Sequence, residues 1–311
     1  MTETVGPNFL ILGAQKAGTT WFARVLSQQR DVFIPKIKEL HFFTRYYGRG
    51  QEWYETQFRP GAEAGARALG DATPNYLAVN YAEYAGVAER IAAYRRDLRF
   101  IVILRNPIER ALSAYLHHVA RGRFNPLQTA EQHFKGLLEP GRNDYGILQF
   151  GQYGMQLATY FDLFPKENFR VHVLEEMVKR DPEEVFAETL DFLGMPGTKP
   201  VGPFRDKANV SIRGRSAARI AGFASIWLRT DRMRMTFGGG IARAGRLVDR
   251  AVGGERLTLD ETTRRYLAEY YAEDAARLQR LLGRDRPIWL ELGRVAAKEQ
   301  ASGAPAMGVV G

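Results

Sequence analysis

Apolar residues cluster along this chain in two ways. Phe9-Leu10-Ile11-Leu12 and Phe100-Ile101-Val102-Ile103 are unbroken runs of strand length, and a run without alternation reads as a strand covered on both faces, as in a parallel sheet. Phe169-Arg170-Val171-His172-Val173-Leu174 reads as a further strand, and Asp31-Val32-Phe33-Ile34-Pro35 as a short one closed by proline. Ala68-Leu69-Gly70-Asp71 reads as a strand end entering a turn that Pro74 stops. Helical spacing fills the intervals at 20–29, 82–96, 152–164 and 182–193, the last started by Pro182 and ended by Gly194. Strands alternating with helices over this length predict an α/β fold, a single domain with a central parallel sheet flanked by helices.

A long helix is expected over 260–282, with Tyr266, Leu267, Tyr270, Tyr271, Leu278 and Leu281 near its repeat and Pro287-Ile288-Trp289 docking its end. Two stretches break the rhythm. Residues 44–60 carry Tyr46, Tyr47, Trp53, Tyr54 and Phe58 in an irregular segment that either walls a pocket or packs beneath a long loop. Residues 122–151, polar and punctuated by Pro126, Pro140 and Gly141, read as loop and short helix lying over the sheet.

The turn after the first strand, Gly13-Ala14-Gln15-Lys16-Ala17-Gly18-Thr19-Thr20-Trp21, brings chemistry into this frame. Glycines let a loop turn its N–H groups inward, the following helix start adds unpaired N–H donors and a positive dipole end, and Lys16 adds a full charge. Strand, loop and helix together make a cradle for a phosphate-like dianion. The nucleotide loop G-x-x-x-x-G-K-[ST] places its lysine after the second glycine, whereas Lys16 precedes Gly18, so the stretch is P-loop-like and not a P-loop match. In Lys36-Ile37-Lys38-Glu39-Leu40-His41-Phe42-Phe43, alternation in an extended segment would put Glu39 and His41 on one side. A carboxylate and an imidazole beside an anion loop suit general base catalysis, and a solvated surface with an ordinary partly buried histidine is the other reading. Arg105 stands at the carboxyl end of a central strand, where open α/β sheets bind ligands. A nucleotide hydrolase normally ends such a strand in Asp to hold Mg²⁺, and Arg105-Asn106 suits a second anion better than a metal.

Composition narrows the choice. The 311 residues, 45% hydrophobic, suffice for a full core, and 44 basic against 35 acidic residues give a formal charge of +9, which suits an anionic ligand, a nucleic acid or an acidic surface. The absence of cysteine excludes disulfides, thiolate nucleophiles and Cys-ligated zinc, and the five histidines show no metal-binding spacing. The first six residues lack a leader pattern and no apolar stretch approaches 18 residues, so a soluble cytoplasmic protein without stable membrane insertion is the default expectation. Residues 201–219 form a polar loop bearing Lys207, Asn209, Ser211, Arg213 and Arg215, and the basic, glycine-broken stretch after it admits an acceptor-binding insertion or a membrane-surface helix. Residues 299–311 read as a flexible tail.

Taken together these residues resemble the sulfotransferases that use 3′-phosphoadenosine 5′-phosphosulfate (PAPS), most closely bacterial members of the branch that includes heparan-sulfate sulfotransferases. Lys16-Ala17-Gly18-Thr19-Thr20 resembles the loop that holds the 5′-phosphosulfate, with Trp21 following it, and Lys38-Glu39-Leu40-His41-Phe42-Phe43 the segment carrying the catalytic glutamate. Gly70-Asp71-Ala72-Thr73-Pro74-Asn75-Tyr76 resembles the next strand and turn, and Arg105-Asn106-Pro107 with Ser113 the 3′-phosphate site. Ala72 stands where some heparan-sulfate enzymes carry a lysine, and 207–215 matches only loosely. The resemblance implies a P-loop nucleotide-kinase-like sulfotransferase fold over residues 1–298 with a basic insertion at about 216–256. It implies PAPS as cosubstrate, PAP as product, no metal, no nucleic acid partner, and a carbohydrate or small-molecule acceptor. Glu39 would be general base, His41 its orienting partner or a second base, and Lys16 the group facing the leaving phosphate. Lys207, Arg213 and Arg215 would add nucleotide contacts. A P-loop kinase or NTPase and a non-enzymatic basic binding module are the readings from other classes.

Overall fold

The computed structural model describes residues 5–37, 39–137, 145–204 and 257–302. Its centre is a five-stranded sheet, β1 (Phe9–Gly13), β2 (Val32–Phe33), β3 (Ala68–Asp71), β4 (Arg99–Leu104) and β5 (Phe169–Val173), in the order β2-β3-β1-β4-β5. Every pairing is parallel, with Phe9 opposite both Gly70 and Arg99, and Phe100 opposite Phe169. The unbroken apolar runs have their expected cause, since every residue of β1 and all of β4 after Arg99 is buried. β1 lies between β3 and β4, so the chain builds one side of the sheet and then crosses to the other. The turn after β1 therefore occupies the reversal of strand order, where parallel sheets leave a ligand crevice.

The chain divides into two compact units. The first comprises the described residues of Met1–Asn106, Gln152–Ala208 and Arg277–Asp285 and holds the sheet. Its helices are α1 (Thr19–Leu26), α2 (Gln51–Thr56), α3 (Arg59–Glu63), α4 (Val87–Tyr94), α7 (Tyr153–Leu163), α8 (Leu174–Met177) and α9 (Pro182–Phe192). Aromatic rings fill the spaces beside the strands: Phe100 stacks on Phe169 at 4.6 Å and meets Phe164 at 4.7 Å, while Phe22 of α1 stacks on Phe186 of α9 at 4.8 Å. The second unit takes the described residues of Pro107–Gly151, Asn209–Ala276 and Arg286–Gly311. It contains α5 (Pro107–Ala120), α6 (Ala130–Leu137), most of α10 (Glu261–Leu281) and α11 (Leu290–Ser302). There Arg264 bridges Glu109 at 3.0 Å and Glu291 at 2.8 Å, Tyr271 donates to the Leu148 carbonyl at 3.0 Å, and fully buried Arg110 donates to the Ile147 carbonyl.

Three expectations change. Residues 44–60 are not irregular: a π-helical turn at Phe42–Tyr46, a 3-10 turn at Tyr47–Arg49, and α2 and α3 account for most of them. Their aromatic side chains pack on one another, with Phe42 stacked on Tyr54 at 4.2 Å, and this packing stabilises turns too short to persist by backbone propensity. The helix expected over 82–96 is a 3-10 turn at Ala82–Tyr84 followed by α4. The last helix, α11, runs to Ser302, so its final residues overlap the start expected for the tail.

His172 on β5 lies buried beside Phe22, 5.5 Å between ring centroids, and its Nε2 is 3.4 Å from the Thr189 hydroxyl. Burial, reinforced by the Arg170 charge, pushes its pKa down from 6.5 to about 4. The unfolded chain therefore binds one more proton than the folded chain between those values, so this site's contribution to stability is full above pH 6.5 and is lost as pH falls toward about 4. The whole shift corresponds to about 3 kcal/mol. We expect His172→Phe to flatten the dependence of unfolding free energy on pH in this window, measured by urea denaturation at pH 7, 5.5 and 4.5. An unchanged slope in the variant would remove His172 from the acid response.

Candidate active site

The loop after β1 is built by close approach. Gly13 has φ 159, and a Cβ there would sit 2.8 Å from the Leu77 Cβ and 2.9 Å from the Pro74 carbonyl, so no larger residue fits without moving the turn that follows β3. The Ala14 amide donates to the Ile103 carbonyl of β4 at 2.7 Å, and the Ala17 amide turns back to Ala14 at 3.2 Å. Gly18, left-handed at φ 92, caps α1. Thr19 and Thr20 are then the first residues of a helix whose opening amides have no intrahelical partner, and no acidic residue occupies that first turn. This is an anion-favouring helix start.

Arg105 closes on this loop from the neighbouring strand. Its Nη1 donates to the Lys16 carbonyl at 3.1 Å, while its own carbonyl accepts from the Tyr153 hydroxyl at 2.9 Å. The next amide, Asn106, donates to Glu175 Oε1 at 2.9 Å, joining the tip of β4 to the second residue of α8, just beyond β5. The guanidinium and the lysine-bearing turn thus share one end of the sheet.

Glu39 and His41 do meet, but not by strand alternation. Glu39 has φ 66 and His41 φ 53, both left-handed, and this double bend brings His41 Nε2 to 3.6 Å from Glu39 Oε2. The separation is within ion-pair range and longer than a hydrogen bond. The side chains are 15% and 29% exposed, so both reach a solvent-accessible surface without being free in it. His41 Nδ1 is 3.1 Å from the Thr44 hydroxyl, which also donates to the His41 carbonyl at 3.2 Å. Lys16, at φ 68, is also left-handed. Among the described residues the other such non-glycine is Tyr145, so the three side chains assigned to catalysis from sequence are three of four in this conformation.

Beneath Glu39 and His41 lies a buried acid that sequence reasoning left without a role. Asp71, at the end of β3, is fully buried and accepts hydrogen bonds from Thr73 at 2.7 Å, Tyr76 at 2.8 Å and Tyr54 at 3.0 Å. Burial pushes its carboxyl pKa up, and the three hydroxyls and the His41 charge oppose that push. Burial likewise lifts Tyr54 and Tyr76 well above the usual phenol range. A carboxylate ending the otherwise apolar run Ala68-Leu69-Gly70-Asp71 was the available signal.

Ala17, Trp21 and Ser113 are the remaining expected site residues among those described. Ala17 is fully buried, and Trp21 packs edge-on against Phe186 at 5.5 Å between centroids. Ser113 lies half-buried in α5, in the second unit. Lys38, Lys207, Arg213, Arg215 and the basic segment 216–256 lie outside the described residues.

With this geometry in place, comparison with known proteins decides the family. The family described as the sulfotransferase domain matches residues 6–209, well over half of the chain. The chain belongs to the sulfotransferase domain family. Among similar proteins, the human heparan sulfate glucosamine 3-O-sulfotransferase 6 is 31% identical over 189 residues, covering 61% of this chain and 52% of that protein. The membrane-associated sulfotransferase kil1 of Dictyostelium discoideum is 30% identical over 131 residues, 41% of this chain and 27% of that protein. The chain thus spans about half the length of the human relative and about a quarter of the slime-mould one. A crystal structure of a sulfotransferase from Alicyclobacillus acidocaldarius superposes with a TM-score of 0.61 at 26% identity, covering 90% of this chain and 97% of that one. The parallel sheet seen here is the sulfotransferase fold.

In this member of the sulfotransferase domain family the packing around Gly13 gives a direct test. Gly13→Ala must push its Cβ into the Pro74 and Leu77 turn, so we expect a loss of about 1–3 kcal/mol in urea unfolding, as for other overpacked sites. Unaltered stability would show that the turn after β3 yields freely.

Proposed function

We propose that the protein transfers a sulfuryl group from PAPS to a hydroxyl or amine of a carbohydrate or small-molecule acceptor. The observation that carries the reading is the hydrogen bond from Arg105 to the Lys16 carbonyl, which brings a second cation to the anion loop of a chain in this family. A nucleotide with phosphates at both ends of its ribose needs such a pair. The loop amides, Thr19 and Thr20 receive the 5′-phosphosulfate, Lys16 faces the bridging oxygen, and Arg105 takes the 3′-phosphate, which favours PAPS over ATP.

The reaction is an in-line displacement at sulfur. The acceptor oxygen forms a bond to sulfur as the bond between sulfur and the 5′-phosphate oxygen breaks, and the electron pair leaves with PAP. Glu39 takes the acceptor proton as the new bond forms, and His41 holds the carboxylate or shares that proton. Lys16 offsets negative charge growing on the departing phosphate. A sulfuryl group carries less charge than a phosphoryl group, so cationic side chains can manage the leaving group and the reaction is expected to proceed in EDTA. The human relative supports a carbohydrate hydroxyl as acceptor, although Ala72 supplies no charged contact to it.

Calorimetry with PAP, ADP and Mg-ATP tests the donor: PAP should bind and the other two should bind far more weakly. Lys16→Ala is expected to lower turnover about 10²–10³-fold and Glu39→Gln about 10²–10⁴-fold, each with unaltered folding by circular dichroism. Preference for Mg-ATP would overturn the donor assignment. A Glu39→Gln enzyme with most of its turnover would overturn the base.

A further inference from the structure

We propose that Asp71 is a positioning residue for proton transfer: it holds the main chain of His41 to Phe43, and through it the Glu39 and His41 side chains, from beneath the site. The inference rests on the reading of Glu39 as general base and His41 as its partner.

A non-glycine residue in the left-handed region costs of order 1–3 kcal/mol, and such residues persist where surrounding structure over-determines them. Glu39 and His41 both adopt it, two positions apart, next to the π-helical turn at Phe42–Tyr46. This bend therefore needs fixed partners for its main chain.

Two are visible. The His41 amide donates to the Thr73 hydroxyl at 3.3 Å, and the Phe43 amide to the Tyr76 hydroxyl at 3.5 Å. A hydroxyl is both donor and acceptor and rotates to suit, so neither would be a dependable acceptor alone. Asp71 removes that freedom. Its carboxylate only accepts, Oδ1 taking the Thr73 proton and Oδ2 those of Tyr76 and Tyr54. With their protons committed downward, Thr73 and Tyr76 present lone pairs upward to the amides of residues 41 and 43. Arg90 ties the same stretch from another direction, donating to the Phe43 carbonyl at 2.9 Å. Asp71 does not touch the reacting atoms; it sets the polarity of the hydrogen bonds on which the bend rests.

Polarity is what a substitution can reverse. Asp71→Asn keeps shape but replaces one of the two acceptor oxygens by an NH2 that only donates, so at least one hydroxyl must turn its lone pair toward residue 71. We expect kcat to fall about 10–100-fold, the scale of an ångström-level misplacement of a catalytic group, with PAP affinity by calorimetry within about twofold of wild type, because the hydrogen bonds from Ala14 to Ile103 and from Arg105 to Lys16 that hold the anion loop involve neither Asp71 nor Thr73. Thr73→Val, which removes one relay hydroxyl, should show the same split between kcat and PAP binding, and Thr73→Ser should restore kcat. Should Asp71→Asn fail to fold, the Thr73 pair carries the test. Wild-type kcat in Asp71→Asn or Thr73→Val overturns the proposal, as does failure of Thr73→Ser to restore it, or a loss of kcat that follows only the folded fraction. Glu39→Gln assayed alongside separates the two claims. If it is inactive while Asp71→Asn is fully active, the positioning role fails alone; if it is active, the reading of the base fails first.

Discussion

The pairing of β1 with β3 on one edge and β4 on the other is the constraint from which the site follows. In a wholly parallel sheet all carboxyl ends lie together, so whatever follows each strand is delivered to the same end. Here all five strands contribute: Lys16 follows β1, Glu39 and His41 follow β2, Asp71 ends β3, Arg105 follows β4 and Glu175 follows β5. Strand direction alone delivers residues scattered over some 160 positions of chain to one end of the sheet.

That convergence would be loose without cross-links at the strand tips. The Ala14 amide on Ile103, the Arg105 guanidinium on Lys16 and the Asn106 amide on Glu175 each join successive tips by a main-chain group. Main-chain donors and acceptors have little conformational freedom once the strands are paired, so these bonds fix the loops with less entropy loss than side-chain pairs would. The proposed sulfuryl transfer would depend on such fixing, since alignment of acceptor, sulfur and leaving oxygen supplies much of the rate.

The site also concentrates unfavourable features that a neutral surface would lose: left-handed non-glycine residues and a carboxylate pushed up by burial. Each is locally costly, and each is held by the others. The bend at Glu39 and His41 rests on Thr73 and Tyr76, whose hydroxyls are directed by Asp71, and Asp71 is tolerated in the interior because three hydroxyls satisfy it. The aromatic packing of residues 42–58 encloses this arrangement and carries Tyr54 into it.

Much of this was legible from the chain alone. Unalternating apolar runs require strands buried on both faces, and glycines around Lys16 require a tight turn, so the sheet, the turn into α1 and Arg105 at a strand tip could be read from residue order. The pairing of Glu39 with His41 was anticipated on wrong grounds: strand alternation predicts it, whereas the observed bend is left-handed at both residues, a property of the main chain that tertiary hydrogen bonds impose and local propensity opposes. Asp71 shows the same division more sharply. Its sequence position announced a carboxylate at a strand end, but only folding could bring Tyr54, from 17 residues earlier, and Tyr76, from five later, onto one oxygen. Periodicity records which residues leave water. Which buried polar groups satisfy one another depends on distances between elements, and only the packed structure sets those.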